Sequence, residues 1–202
     1  YGKLMKAYYA KQDAEKLSGK GDTSQKLTLM KTSADSLKKS ADALNDSSLW
    51  EKKKIKKKDE KTGEEIEVED YDWDKITKAV KSFVEDYNDV VKEAGESNTK
   101  DVLRNASWMT GMTDKNSNML AKIGITIGKG NKLELDEDAL KQADISSLKT
   151  VFIGYNSFVS KISQKATGIS NAANRASATY TNNGTYSKTD SLLTSSKIDE
   201  EV

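Results

Sequence analysis

The sequence predicts a mainly α fold: an antiparallel, coiled-coil-like helical bundle carrying two small β-hairpins. Three observations point to it. Apolar residues recur at alternating steps of three and four along three long stretches, the seam of a helix that packs against other helices. No proline interrupts these stretches, and proline would break the helical hydrogen-bond ladder. Apolar residues make up 35% and charged residues 32% of the 202-residue chain, a balance that suits thin apolar seams inside charged helices better than a thick core.

The N-terminal residues 1–23 read as an arm or short apolar helix (Leu4, Met5, Ala7, Tyr8, Tyr9), followed by a glycine-containing loop over 16–24. Residues 24–202 read as the bundle domain. Its first seam is Leu27, Met30, Ala34, Leu37, Ala41 and Leu44, on a helix predicted over 24–47. The second is Ile76, Val80, Phe83, Tyr87 and Val90, with Asp72 or Asp74 to cap its start and Gly95 to stop it. A shorter helix is predicted from about Asn98, ending at Gly111, with a fourth restarting at 113–116 through Met119, Leu120 and Ile123. The last seam runs through Leu148, Phe152, Tyr155, Val159, Ile162, Ala166, Ile169, Ala173 and Ala176, predicting one continuous helix of roughly 45 Å at about 1.5 Å per residue. Asn182-Asn183-Gly184 ends it, and Leu192, Leu193 and Ile198 suggest a further segment. The helices from residues 24, 73 and 145 are expected to bury one another's seams as an antiparallel bundle.

Two hairpins interrupt the helices. At 51–72, a basic arm (Lys52, Lys53, Lys54, Lys56, Lys57, Lys58 around Ile55) precedes Lys61-Thr62-Gly63 and an acidic arm (Glu64, Glu65, Glu67, Glu69, Asp70 around Ile66 and Val68). Folding back pairs opposite charges across the strands, each pair contributing a few tenths of a kcal/mol. Near 123–136, Ile125 and Ile127 alternate with Thr126, Gly128-Lys129-Gly130-Asn131 turns the chain, and Leu133 and Leu135 return. Asp136 or Asp138 then caps a short helix containing Ala139, Leu140 and Ala143.

The chain has 33 basic and 32 acidic residues, a net charge of +1. That balance gives no electrostatic footprint for nucleic acid or an anionic membrane, and no apolar run approaches the roughly 20 residues that span a bilayer. There is no cysteine and no histidine, so thiol nucleophiles, thiolate zinc sites and the commonest general base are excluded. Paired carboxylates such as Glu64 with Glu65 lie in no sequence context that would separate their pKa values. Residues 133–138 do not follow the calcium-loop pattern, and residues 123–130 match neither phosphate-binding glycine motif. The expectation is therefore a non-enzyme with no cofactor, metal or small-molecule substrate. Trp50 and Trp73 flank the charged hairpin and are expected to pack together as its apolar base. The alternative is a protein-binding hot spot, for which the candidate contact residues are Trp50, Ile55, Ile66, Val68 and Trp73.

Two blocks carry a family resemblance. Residues 79–91 read A-V-K-S-F-V-E-D-Y-N-D-V-V, which resembles the A-V-x-x-F-V-x-x-Y-N-x-x-V helix of bacterial flagellar filament-cap (hook-associated cap) proteins. Leu120-Ala121-Lys122-Ile123-Gly124-Ile125-Thr126, followed by residues 130–140 (G-N-K-L-E-L-D-E-D-A-L), resembles that family's L-x-x-I-G-I-T and G-x-L-x-L-D-x-x-x-L block. The turn Asn182-Asn183-Gly184-Thr185 resembles its closing segment. The resemblance spans about residues 75–200. It implies an exported, extracellular protein of the flagellum that self-associates, works through helix packing and supports assembly of flagellin. The family usually carries large β-rich domains between its first long helix and the F-V-x-x-Y-N helix; here only residues 51–72 occupy that place, so the chain resembles a reduced form. No signal peptide is visible, and because the chain begins at Tyr1, terminal segments are expected beyond it. The alternative is a non-flagellar coiled-coil adaptor or surface adhesin on a related scaffold.

Overall fold

A computed structural model describes residues 21–58 and 63–179, together with Lys6. The readings for the N-terminal arm, the tip of the first hairpin and everything after residue 179 lie outside the described residues.

The described chain is mainly helical, with two antiparallel two-stranded sheets. Helix α1 spans Ser24–Asn45 and buries the six predicted seam residues. Thr23 caps it, accepting a hydrogen bond from the Lys26 backbone N–H. A 3-10 turn, Ser47–Trp50, leads into strands β1 (Lys53–Lys58) and β2 (Glu65–Asp70). Helix α2 spans Trp73–Gly95. Its start is capped by Asp72, whose carboxylate accepts from the Lys75 N–H at 3.1 Å. Its predicted seam is buried, joined by Thr77, Val84, Val91 and Ala94.

Helix α3 spans Lys100–Lys115 and does not stop at Gly111. The buried residues Met109, Thr110 and Thr113 keep its inner face packed past the glycine, and Thr113 takes the Tyr87 hydroxyl of α2 at 2.8 Å. A glycine inside a helix costs about 1 kcal/mol relative to alanine, less than such packing returns. Short helix α4 (Ser117–Ala121) leads to strands β3 (Ile125–Ile127) and β4 (Leu133–Leu135), paired in register Ile125 to Leu135 and Ile127 to Leu133. Asp136 caps α5 (Glu137–Gln142) by accepting from the Asp138 and Ala139 N–H groups, and Ala143 lies just past its end.

The predicted continuous final helix is two helices, α6 (Ile145–Phe152) and α7 (Phe158–Thr179). Gly154 sits at φ +107°, a conformation no right-handed helix contains. Its N–H is held by the Asn45 side chain at 2.8 Å. Tyr155, expected on the seam, is 82% exposed instead.

Helices α1, α2, α3 and α7 form an up-down-up-down bundle of four rather than three, each packing on two of the others. The direction of α7 against α1 is fixed by Ser170 donating to Asp35 and Ser163 donating to Asp42, both at 2.6 Å. Against α3 it is fixed by Lys165 lying 4.5 Å over the Trp108 ring and by Arg175 with Asp101 at 3.5 Å. The core is one cluster, running from Leu27 to Ala173 and taking in Ile125 and Leu133 of the second hairpin.

Candidate interaction surface

The charged ribbon β1–β2 is the largest feature outside the bundle core. Its register sets Lys53 opposite Asp70, Lys54 opposite Glu69, Lys56 opposite Glu67 and Lys58 opposite Glu65. Since side chains alternate between faces, one face is purely ionic: three lysines against three glutamates. The other carries Ile55 opposite Val68 and Ile66 opposite Lys57. The predicted charge matching is therefore present at four of the six paired positions. Direct ion pairs are fewer: Lys57 meets Asp70 at 2.5 Å and Lys56 meets Glu65 at 3.6 Å. The Lys57 ammonium, the Tyr71 N–H and the nearby Lys52 together hold the Asp70 carboxyl below its ordinary range.

The root of the ribbon is rigid. Trp50 is fully buried, its ring stacked on Phe152 of α6 at 5.2 Å and 13°. Its indole N–H donates to the Leu44 carbonyl at 2.8 Å. Tyr71 lies between Lys52 at 5.7 Å and Lys149 of α6 at 5.9 Å. Trp73 is half-buried and meets Tyr71 edge-on at 6.2 Å. The two tryptophans thus anchor the ribbon through separate partners, not through each other as the sequence suggested. Trp50 turned inward because Phe152 offers it a ring and Leu44 a carbonyl, satisfying both the apolar body and the polar tip of the indole.

Of the five candidate contact residues, Trp50 exposes no surface and holds the root. Ile55 and Val68 are half-buried and face each other, and Ile66 is 41% exposed. A shallow groove of about 260 Å³ runs past Ile55, Tyr71 and Trp73 to Lys141. The structure brings Ile55, Ile66 and Val68 onto one face and keeps the tryptophans at the base.

Two structural devices were not read from the sequence. Asp22, just before α1, is buried and reaches across to the turn between α2 and α3. It accepts from Ser97 Oγ at 2.6 Å, from the Asn98 and Thr99 N–H groups at 2.9 Å and from Thr99 Oγ1 at 2.8 Å. It braces the residues that lead into α3, whose N-cap Thr99 makes no side-chain capping bond to the helix itself. Burial pushes its carboxyl up, but these donors and Lys26 outweigh that and hold it below its ordinary value. The second is Asn88 of α2, which accepts from the Leu133 N–H at 2.7 Å and donates to the Leu133 carbonyl at 2.9 Å.

No family model, curated protein or solved structure matches this chain.

Proposed function

We propose that this chain is a structural assembly protein of the flagellar filament-cap type, acting by helix packing and self-association, without catalysis, at the extracellular flagellum to support flagellin assembly. One observation supports this reading most. The two sequence blocks that resemble the family are far apart in the chain, yet they dock on each other: Asn88 of the first clasps Leu133 of the second through both backbone polar groups. Tyr87, beside it, is buried and bonded to Thr113. The resembling residues are thus a mutually dependent packing unit, as expected where a scaffold is retained for assembly.

The ribbon that stands where the family's large β domains belong favours a second reading, a coiled-coil adaptor or adhesin on the same scaffold. Flagellin in the culture medium of the native organism separates the two. In the cap reading, deleting the gene shortens filaments and releases unassembled flagellin, and restoring it reverses both. Unchanged filaments and unchanged secreted flagellin would transfer the assignment to the adaptor or adhesin.

A further inference from the structure

We infer that the β1–β2 ribbon joins copies of this chain head to tail, the acidic edge strand β2 of one copy pairing with the basic edge strand β1 of the next. The inference rests on the self-association proposed above and names its surface and its polarity.

Both strands of the ribbon are edges, since among the described residues neither has a second strand partner. An edge strand offers unpaired backbone N–H and C=O groups to any strand that can approach it. Charge decides which can. β1 reads Lys-Lys-Ile-Lys-Lys-Lys and β2 reads Glu-Ile-Glu-Val-Glu-Asp. A two-fold pairing of β1 with β1 sets lysine against lysine, and β2 with β2 sets carboxylate against carboxylate; like charges directly opposite destabilise a ladder. The β2-to-β1 pairing repeats between copies the same oppositely charged register that already exists within one chain. Charge segregation, which blocks the symmetric contact, therefore selects the heterologous one, which propagates to a closed ring or an open filament.

Within one chain the ribbon leaves charge unspent. Among the described residues, Lys54, Lys58, Glu67 and Glu69 make no direct ion pair, while Lys56 and Lys57 do. A neighbouring strand about 4.8 Å away brings opposite charge to those side chains. On the other face, Ile66, 41% exposed, lies opposite Lys57, two residues along β2 from the Ile55–Val68 pair, and adds apolar surface to the β2 edge. A two-stranded ribbon is marginal alone, and added strands stabilise it. Its fixed root, with Trp50 stacked on Phe152, presents both edges in a set orientation.

Sedimentation velocity of the full chain tests this, at low ionic strength and over a concentration series. Wild type is expected to associate, and salt well above 0.1 M, where the screening length falls below about 10 Å, should weaken it. Reversing only Lys54, Lys56 and Lys58 to Glu should abolish association. Adding Glu65, Glu67 and Glu69→Lys restores opposite charges within the ribbon and between identical copies, so this double-swapped variant should associate like wild type. A monomeric wild type, or a double-swapped variant that stays monomeric while folded, overturns the inference. Association that survives replacement of residues 53–70 by a short Gly-Ser linker overturns the ribbon as the surface while leaving self-association itself intact.

Discussion

The Asn88 carboxamide closes a two-bond clasp on the backbone of Leu133, 45 positions away, accepting at 2.7 Å and donating at 2.9 Å. At neutral pH, where carboxyl groups are ionised acceptors, the carboxamide is the side-chain group that presents an N–H donor and a carbonyl acceptor side by side. The clasp pins β4, and with it the buried Leu133 and Ile125, to α2. Asn88→Ala is expected to cost about 1–3 kcal/mol, since it strands two partly buried backbone groups. Asn88→Asp should also destabilise, because a carboxylate can accept from the Leu133 N–H but faces its carbonyl without a donor. Urea unfolding measures both, and amide exchange across residues 125–135 should quicken selectively. Unaltered protection there would show that the core contacts of Leu133 suffice.

Asp22 ties the start of α1 to the start of α3, and its carboxyl titrates below the ordinary value of 3.8. A depressed folded-state value means its stabilisation is complete above 3.8 and is lost as pH falls through the lower folded value. Asp22→Asn should therefore cost about 1–3 kcal/mol at neutral pH. The wild-type and variant stability curves should converge in acid, where wild type has lost the same charge-assisted bonds. Parallel curves down to the acid limb would assign the pH dependence elsewhere. Asp35 and Asp42, also held below their ordinary range as the bonds from Lys31 with Ser170 and from Lys38 with Ser163 overcome burial, act in the same direction.

Asp86 runs the other way. Burial raises its carboxyl, the Ser40 hydrogen bond lowers it, and the neighbouring charges of Asp89 and Glu85 raise it further. A raised folded-state value means that ionised Asp86 opposes folding at neutral pH, and the opposition disappears as pH falls. Asp86→Asn should raise the thermal midpoint at pH 7 and change it little in acid. A lower midpoint at pH 7 would mean that the bond to Ser40 needs the charged form.

The tryptophans separate stability from recognition. Trp50 stacks on Phe152 and donates to Leu44 in full burial, so Trp50→Ala should cost about 3–5 kcal/mol. Trp73, half-buried against Tyr71, should cost about 1 kcal/mol. Equal losses in thermal or urea unfolding would mean that the base of the ribbon, not the core beneath it, carries the stability.

Residue spacing revealed much of this molecule. All six predicted seam residues of α1 and all five of α2 are buried, because helical period and core burial are the same geometric fact. The charge ladder of the ribbon was equally legible, since strand alternation and opposite charge demand one register. The break at Gly154 was hidden because the loop preserves heptad phase: Leu148, Phe152 and Val159 are buried on both sides of it, so periodicity alone reads straight through. The composition of residues 153–157, Ile-Gly-Tyr-Asn-Ser, was the available sign. The fourth bundle helix was cut short by reading Gly111 as a stop, when the burial of Met109, Thr110, Gly111 itself and Thr113 decided otherwise. The Asp22 brace had no local signal, as its hydrogen-bond donors lie 75 to 77 positions away.

Glycine at 124 is required by two independent constraints, which makes it a sharp probe of the hairpin. Its φ is +80°, and a Cβ there would lie 2.6 Å from the Asp136 carbonyl oxygen and 2.9 Å from the Leu140 nitrogen. Both obstacles are backbone, and the Gly124 carbonyl itself receives the Asp136 N–H at 2.8 Å, so relief means separating the hairpin from α5. Gly124→Ala should cost about 2–4 kcal/mol, combining left-handed strain with the backbone clash. Gly168 in α7 provides the control. The nearest atoms its Cβ would meet belong to the Asn105 side chain, with Oδ1 at 2.6 Å, and that carboxamide can move away from it at the cost of its bond to the Asp101 carbonyl. The helix also gains about 1 kcal/mol of propensity from alanine. Gly168→Ala should therefore stay within about 1 kcal/mol of wild type. Comparable losses at both positions in urea unfolding would show that α3 and α7 pack as tightly through Asn105 as the hairpin does through its backbone, and that the close approach of those two helices is as intolerant of a methyl group as the turn.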